Sequence, residues 1–231
     1  MQLYYHGHSF IEIQSDSTRI LIDPYVTGNR LCDTTIDELI KAPIDAIVLT
    51  HGHGDHVGDT LALAAAYPQA VVISTWWVIT RLQTQGMTNP THGPSIWWSI
   101  VLEQFIVKMT PAQHDARVMN SEYYSQPAWV IITIDGKKIY HAGDTWLILD
   151  LQLIKQWWPI DVAFLPIWDY YTMGVADAVT ACGWIMPTTV VPIHYNTFPQ
   201  IKADPIEFAR LVMLHKFAVP KVLTAGQYVV L

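Results

Sequence analysis

The feature that most constrains this chain is the run His51-Gly52-His53-Gly54-Asp55-His56, which follows without a break on the apolar, strand-like residues 46–50. Three imidazoles and a carboxylate crowd into six residues where a strand ends and a helix begins. Buried without a ligand, that many polar groups would be costly. On an extended segment alternate side chains point the same way, so His51 and His53 can converge on one ion. Asp55 and His56 lie past the turn and can aim at a second. Gly52 and Gly54 let the backbone bend tightly between them. Imidazole with carboxylate suits zinc, manganese, iron or nickel, and no neighbouring thiolate argues for a closed structural zinc site.

Around this run the apolar pattern changes period in a regular way. Strand-like segments at 3–6, 10–13 and 19–22 precede it. After it come an alanine-rich helix at 57–67, stopped near Pro68, a strand at 71–74, a helix over 76–85 and a loop at 86–95. The second half repeats the alternation. Strands are predicted at 105–110, 128–134 and 138–141, with Asp135-Gly136 as the hairpin turn between the last two. Helices at 147–157, 175–184 and 205–215 then alternate with strands at 162–166, 189–193 and 221–223. Two groups of strands, each followed by helices, predict two packed sheets with helices outside. A chain of 231 residues suffices for one sizeable core, and no linker divides it, so residues 1–231 are read as a single domain.

Composition excludes several classes. Apolar residues make up 51% of the chain, which argues against disorder. No apolar run approaches the ~20 residues of a membrane span, and the N-terminus lacks the basic start and apolar stretch of a signal peptide. Two cysteines, Cys32 and Cys182, are too few for a disulfide framework, so a cytoplasmic location is expected. Cys182 reads as a small buried residue rather than a nucleophile. Acidic residues outnumber basic ones by 20 to 13, the wrong balance for nucleic acid. The expected partner is a small-molecule substrate. Ten tryptophans include the pairs Trp76-Trp77, Trp97-Trp98 and Trp157-Trp158. Adjacent residues on a strand face opposite ways, so core packing does not account for all of them. An apolar surface for binding, or for a homo-oligomer, is the other reading.

The central run matches the H-x-H-x-D-H pattern of the metallo-β-lactamase superfamily. The segments YHGHS, ILIDPYVTGN, THGHGDHVGDT, KMTPAQH, IYHAGDT, TMG and VPIHYNTFP follow in order between residue 2 and about residue 200. Together they resemble a group of small metal-dependent hydrolases near the ascorbate-6-phosphate lactonase type. The resemblance implies a four-layer αββα sandwich of the α/β class, with two divalent metal ions, zinc foremost, at one edge between the sheets. It implies that His51, His53 and His114 hold one ion, that Asp55, His56 and His194 hold the other, and that Asp144 bridges them. Asp23 is expected to orient a ligand. His6 and His8 match the HGHS element, with His8 reaching the metal mouth. Asp55, Asp144 and His8 are the catalytic candidates, either aspartate relaying a proton to the leaving group. Asn196 and Thr197 either touch substrate or shape their loop, and His92 is placed near the mouth.

The implied activity is hydrolysis of an ester, lactone or phosphoester by activated water. Two other readings stand beside it: an iron-dependent redox enzyme on the same fold, and a non-catalytic binding or assembly protein using tryptophan-rich faces. The chain also departs from the group it resembles. Trp146 and Trp168 stand where glycine is usual, and residues 95–104 replace a glycine-rich hairpin with SIWWSIVLEQ. Tryptophan for glycine adds bulk and disfavours positive φ. These replacements predict a reshaped or blocked pocket and read as redesign of a natural scaffold.

Overall fold

Residues 20–22 and 46–48 are apolar on both faces, as strands in the middle of a layered fold must be. In the computed structural model, which describes residues 1–115, 117–119 and 121–231, they are central strands. The first half runs β1 (Gln2–Tyr5), β2 (Ile11–Gln14), β3 (Arg19–Ile22), α1 (Ile36–Leu39), β4 (Ala46–Val48), α2 (Gly54–Val57), α3 (Thr60–Ala66), β5 (Val71–Ile73), α4 (Trp76–Thr84) and β6 (Thr91–His92). The second runs β7 (Ser99–Val101), β8 (Phe105–Pro111), β9 (Ala128–Ile134), β10 (Lys137–His141), α5 (Leu151–Trp157), β11 (Val162–Pro166), α6 (Val175–Ile185), β12 (Thr189–Ile193), α7 (Pro205–His215), β13 (Val219–Pro220) and β14 (Tyr228–Val230).

The strands form two sheets, ordered β14-β1-β2-β3-β4-β5-β6 and β13-β12-β11-β10-β9-β8-β7. Each begins antiparallel and turns parallel as helices enter the connections: β1, β2 and β3 pair antiparallel and β3 to β6 parallel. In the second sheet β7 to β10 pair antiparallel and β10 to β13 parallel.

Strand alternation sorts the apolar residues into layers. Ile20, Ile22, Ala46 and Val48 face inward and pack against Val107, Val130, Ile132, Phe164 and Val191 of the second sheet. The intervening Leu21 and Ile47 face outward under Leu39, Leu63, Val78 and Leu82 of α1, α3 and α4. On the far side Ile131, Tyr140, Ala163 and Leu165 pack under Leu151, Ala178, Cys182 and Phe208 of α5, α6 and α7. The result is the αββα sandwich, helix on sheet on sheet on helix.

Local chemistry sets several boundaries. The Asp135-Gly136 turn has positive φ at both residues, 50° and 75°, as a tight primed hairpin turn demands. Asp204 caps α7 by accepting the amides of Ile206 and Glu207, with Pro205 in the first turn. The helix expected over 57–67 is α3, which starts only at Thr60; Val57 instead ends α2, and Gly58, out of the helical region at φ 47°, separates the two. The strand expected at 221–223 instead lies at Val219–Pro220, two residues earlier.

The tryptophan pairs lie elsewhere than on strands. Trp76 and Trp77 open α4, both exposed, and Trp77 stacks on Tyr123 at 5.3 Å. Trp97, Trp157 and Trp158 pack on one another near the edge of the second sheet, with the Lys108 ammonium 5.2 Å from the Trp158 ring. Trp98 points to solvent. Among the described residues no helix is long and apolar enough to cross a membrane.

Candidate metal centre

The site lies where strands end. His51 to His56 follow β4, His114 follows β8, Asp144 follows β10 and His194 follows β12, while His8 and Asp23 follow β1 and β3. Loops from both sheets therefore meet at one edge of the sandwich. The backbone there is strained: His8, Asp23, His194 and Asn196 all hold positive φ, between 49° and 61°. Such conformations cost free energy in non-glycine residues and cluster at functional sites. Gly52 is needed because a Cβ would lie 2.9 Å from Val118 Cα, and Gly143 (φ 52°) because one would lie 2.7 Å from Thr50 Cβ. Gly54 meets nothing within 4 Å, so the tight bend expected there is not what keeps that residue small.

Within this edge the side chains fall into groups whose donor atoms lie within 4.8 Å of one another. In the first, His53 Nδ1 lies 3.0 Å from His51 Nε2 and 3.2 Å from His114 Nε2. The second gathers His8, Asp55, His56 and His194. Asp55 Oδ2 stands 3.1 Å from His8 Nε2 and 3.7 Å from His194 Nε2. Asp144 lies between the two. Its Oδ2 is 3.5 Å from His114 Nε2, while its Oδ1 is 3.4 Å from His56 Nε2 and 3.2 Å from His194 Nε2.

The rings are held from behind. Asp23 accepts the Thr50 amide at 2.8 Å and the Thr50 hydroxyl at 2.7 Å, and its Oδ2 meets His56 Nδ1 at 2.7 Å. Thr50 Oγ1, having donated to Asp23, is left to accept from His51 Nδ1 at 3.1 Å. His114 Nδ1–H donates to the Tyr171 carbonyl at 3.0 Å. With one ring nitrogen occupied in this way, the other presents its lone pair to the centre.

A metal ion fits this arrangement. His56 Nε2, His194 Nε2 and Asp144 Oδ1 are buried with no hydrogen-bond partner among the described residues, a costly state that a cation relieves. Burial lowers His51, His53 and His114, and pushes His8 down to about 4, so these imidazoles are neutral donors at neutral pH. Burial works against the charge on His56 as well, but Asp144 and Asp23 outweigh it and raise that ring well above its ordinary value, so without a metal Nε2 holds a proton whose place a cation would take. Burial also opposes ionisation of Asp55 and Asp144. The surrounding imidazoles, His8 foremost for Asp55 and His194 for Asp144, prevail and hold both as carboxylates.

The seven residues singled out as metal ligands are all brought together here, and His8 joins the second group, buried, with Nδ1 3.0 Å from the Thr197 hydroxyl. His6 turns away to Asp33 and Glu12. His92 sits exposed in β6, outside all three groups. Asn196 shapes its loop through paired bonds with the Ala203 backbone. Cys182 is buried, its thiol pushed up to about 12, as befits a packing residue. Neither Trp146 nor Trp168 holds a positive φ, so the backbone conflict expected of tryptophan in place of glycine does not arise. Trp168 is buried and lies parallel to the His194 ring, 5.4 Å between centroids. His141 and the Tyr171 carbonyl were not anticipated. No spacing singles them out, because their roles depend on which backbone groups packing brings near.

A sandwich of two mixed sheets with a His/Asp cluster at the strand ends is the architecture of metallo-β-lactamase-fold enzymes. A family model described as "Beta-lactamase superfamily domain" matches residues 2–194. The chain is 43% identical to a UPF0173 metal-dependent hydrolase of Bacillus thuringiensis (strain Al Hakam), over the full length of both. It is 44% identical to one of Bacillus mycoides, again over the full length of both. Among solved structures it resembles Igni18, a metallo hydrolase of the hyperthermophilic archaeon Ignicoccus hospitalis, with a TM-score of 0.90 and 36% identity over 99% of this chain and 97% of that one. The chain belongs to the β-lactamase superfamily and, within it, to the metal-dependent hydrolases.

Proposed function

We propose that the enzyme hydrolyses an ester, lactone or phosphoester of a small molecule, using two divalent ions, zinc foremost. The observation that carries this reading is the placement of Asp144, whose two carboxylate oxygens face different donor groups. His51, His53 and His114 would hold one ion, and Asp55, His56 and His194 the other, with His8 within reach of the second group. The chemistry supplied by bound divalent ions is Lewis acidity, which brings water toward ionisation near neutral pH and polarises the bond to be cut.

The chain's own residues do the rest. Asp23, Thr50 and the Tyr171 carbonyl fix the ring orientations, so little reorganisation is needed when substrate arrives. Trp168 covers His194 and keeps water from that side of the site. Asp144 is buried, whereas the Asp55 side chain is 31% exposed, so proton delivery to a leaving group falls to Asp55.

Elemental analysis of metal-reconstituted protein, run beside a panel of lactones, phosphodiesters and carboxylic esters, tests the reading. The parent is expected to hold two ions per chain and to turn over at least one of these classes. Asp144→Ala is expected to retain at most one tightly bound ion. Two ions bound as tightly in Asp144→Ala as in the parent would sink the bridging role, and a fully loaded protein inert on every class would sink the choice of ester, lactone or phosphoester as substrate.

A further inference from the structure

His141 ends β10, fully buried, with both ring nitrogens taken by backbone groups. Its Nε2–H donates to the Ser9 carbonyl at 2.8 Å, and its Nδ1 accepts the Gly143 amide at 3.0 Å. An amide can only donate and a carbonyl can only accept, so the two bonds select a single tautomer. Ser9 follows His8 in the loop between β1 and β2 of the first sheet, and Gly143 precedes Asp144 in the turn leaving the second. One ring thus couples the loop carrying His8 to the turn carrying Asp144, across the junction of the sheets. The His194 amide, which donates to the His8 carbonyl at 2.8 Å, makes a parallel tie between the same two sides.

The Gly143 turn has little freedom of its own. Its φ is 52°, and it lies so close to Thr50 that a Cβ would clash. The direction of its amide, and with it the path of the chain into Asp144, is set by the acceptor that amide finds. That acceptor is His141 Nδ1.

We propose that His141 is a positioning residue for the metal pair: through its bond to the Gly143 amide it aims Asp144 so that Oδ1 and Oδ2 face different donor groups. This rests on the two-ion reading above. The acceptor nitrogen carries the effect, and the bond to Ser9 serves mainly to keep the ring in the accepting tautomer.

Two conservative variants separate the bonds. His141→Asn keeps an acceptor near the place of Nδ1 and loses the donor to Ser9. His141→Gln keeps a donor near the place of Nε2 and loses the acceptor for Gly143, and His141→Leu removes both. Metal-free protein is titrated with zinc against a chromophoric chelator to give stepwise affinities. The manganese-loaded form is examined by electron paramagnetic resonance, where exchange coupling reports two bridged ions. His141→Gln and His141→Leu are expected to weaken the second ion about 10–100-fold and to reduce the coupled signal, with His141→Asn within about threefold of the parent.

Thermal unfolding of the metal-free variants runs alongside. Equal affinities in all three variants, or weakening that follows lost thermal stability whichever bond is kept, would reduce His141 to a packing residue and overturn the proposal. Should His141→Leu fail to fold, the contrast between Asn and Gln decides. A parent that binds a single ion would instead defeat the two-ion reading. His141 would then be judged by whether Gln weakens that ion more than Asn does.

Discussion

Asp23 and Glu12 are both buried carboxylates, and their neighbours give them different work. Asp23 spends its oxygens on Thr50 and on His56 Nδ1, orienting a ring whose other nitrogen faces the site. Asp23→Asn keeps the shape but offers an amide where a carboxylate oxygen met the ring, and is expected to weaken zinc binding about 10–100-fold in a chelator competition. Glu12 lies away from the centre. Burial opposes its ionisation, yet hydrogen bonds from His6, Arg19 and Gln14 outweigh that and bring its carboxyl from an ordinary 4.5 down to about 2. A carboxyl depressed on folding adds stability that is complete above its unfolded value and is lost as the pH falls through its folded value. Here that is on the order of 3 kcal/mol, lost between about pH 4.5 and pH 2. His6 has the opposite sign: burial lowers it, but Asp33 and Glu12 raise it on balance, so its contribution is full below 6.5 and fades as the pH rises through its elevated folded value. Melting curves of metal-free parent and Glu12→Gln between pH 5 and 2 measure the Glu12 effect. Parallel slopes for the two proteins would remove Glu12 from the account.

Among the elements, the loop from Trp168 to Gly174 shows how strain and site go together. Asp169 and Tyr170 hold φ of 68° and 62°, and the Asp169 side chain stabilises the turn by accepting the Tyr170 amide at 2.8 Å. The next residue supplies the carbonyl that holds His114. The Tyr170 ring is 77% exposed and makes little use of its surroundings. Glycine there removes a left-handed penalty of about 1–2 kcal/mol at an entropic cost of roughly half that, so Tyr170→Gly is expected to raise unfolding free energy by up to about 1 kcal/mol. Denaturant titration checks it, and a net loss would show that the edge-to-face contact of Tyr170 with Tyr171 matters more than the strain. Legibility at this scale follows the apolar run. The seven-residue β9 and the three-residue β4 and β5 were readable from their continuous apolar runs, while β6, β7 and β14 mix exposed residues into two or three positions and are too short to carry a period. The alanine-rich text after the histidine run reads as a helix from Val57, whereas α3 starts at Thr60, because packing takes Gly58 out of the helical region.

In the molecule as a whole, the candidate ligands are shared between the sheets: His51, His53, Asp55 and His56 come from the first, and His114, Asp144 and His194 from the second. An ion bound by both sides ties the two halves together and favours only the folded state, in which those loops meet. At a hundredfold excess over its dissociation constant, one such ion adds about 2.7 kcal/mol. Chelation is therefore expected to lower the melting temperature of the entire domain in a single transition, restored by zinc. An unchanged transition would show that the centre does not hold metal in the native state.

The six-residue histidine run, the layered α/β class and the apolar alternation of the long strands were decided by the sequence itself. Each depends on neighbours a few residues apart, where the strand repeat and a turn fix which way side chains point. Recognising His114, Asp144 and His194 took the order of motifs along the chain, since spacing says nothing about groups separated by dozens of residues. The tertiary structure alone set the split of the Asp144 oxygens between two groups, the tie from His141 to both sheets and the placing of Trp168 over His194. Those relations exist only once two sheets pack and their loops share one edge. Both His92 and His141 end strands, and it is the folding of the chain around them that leaves one in solvent and the other beneath the metal centre.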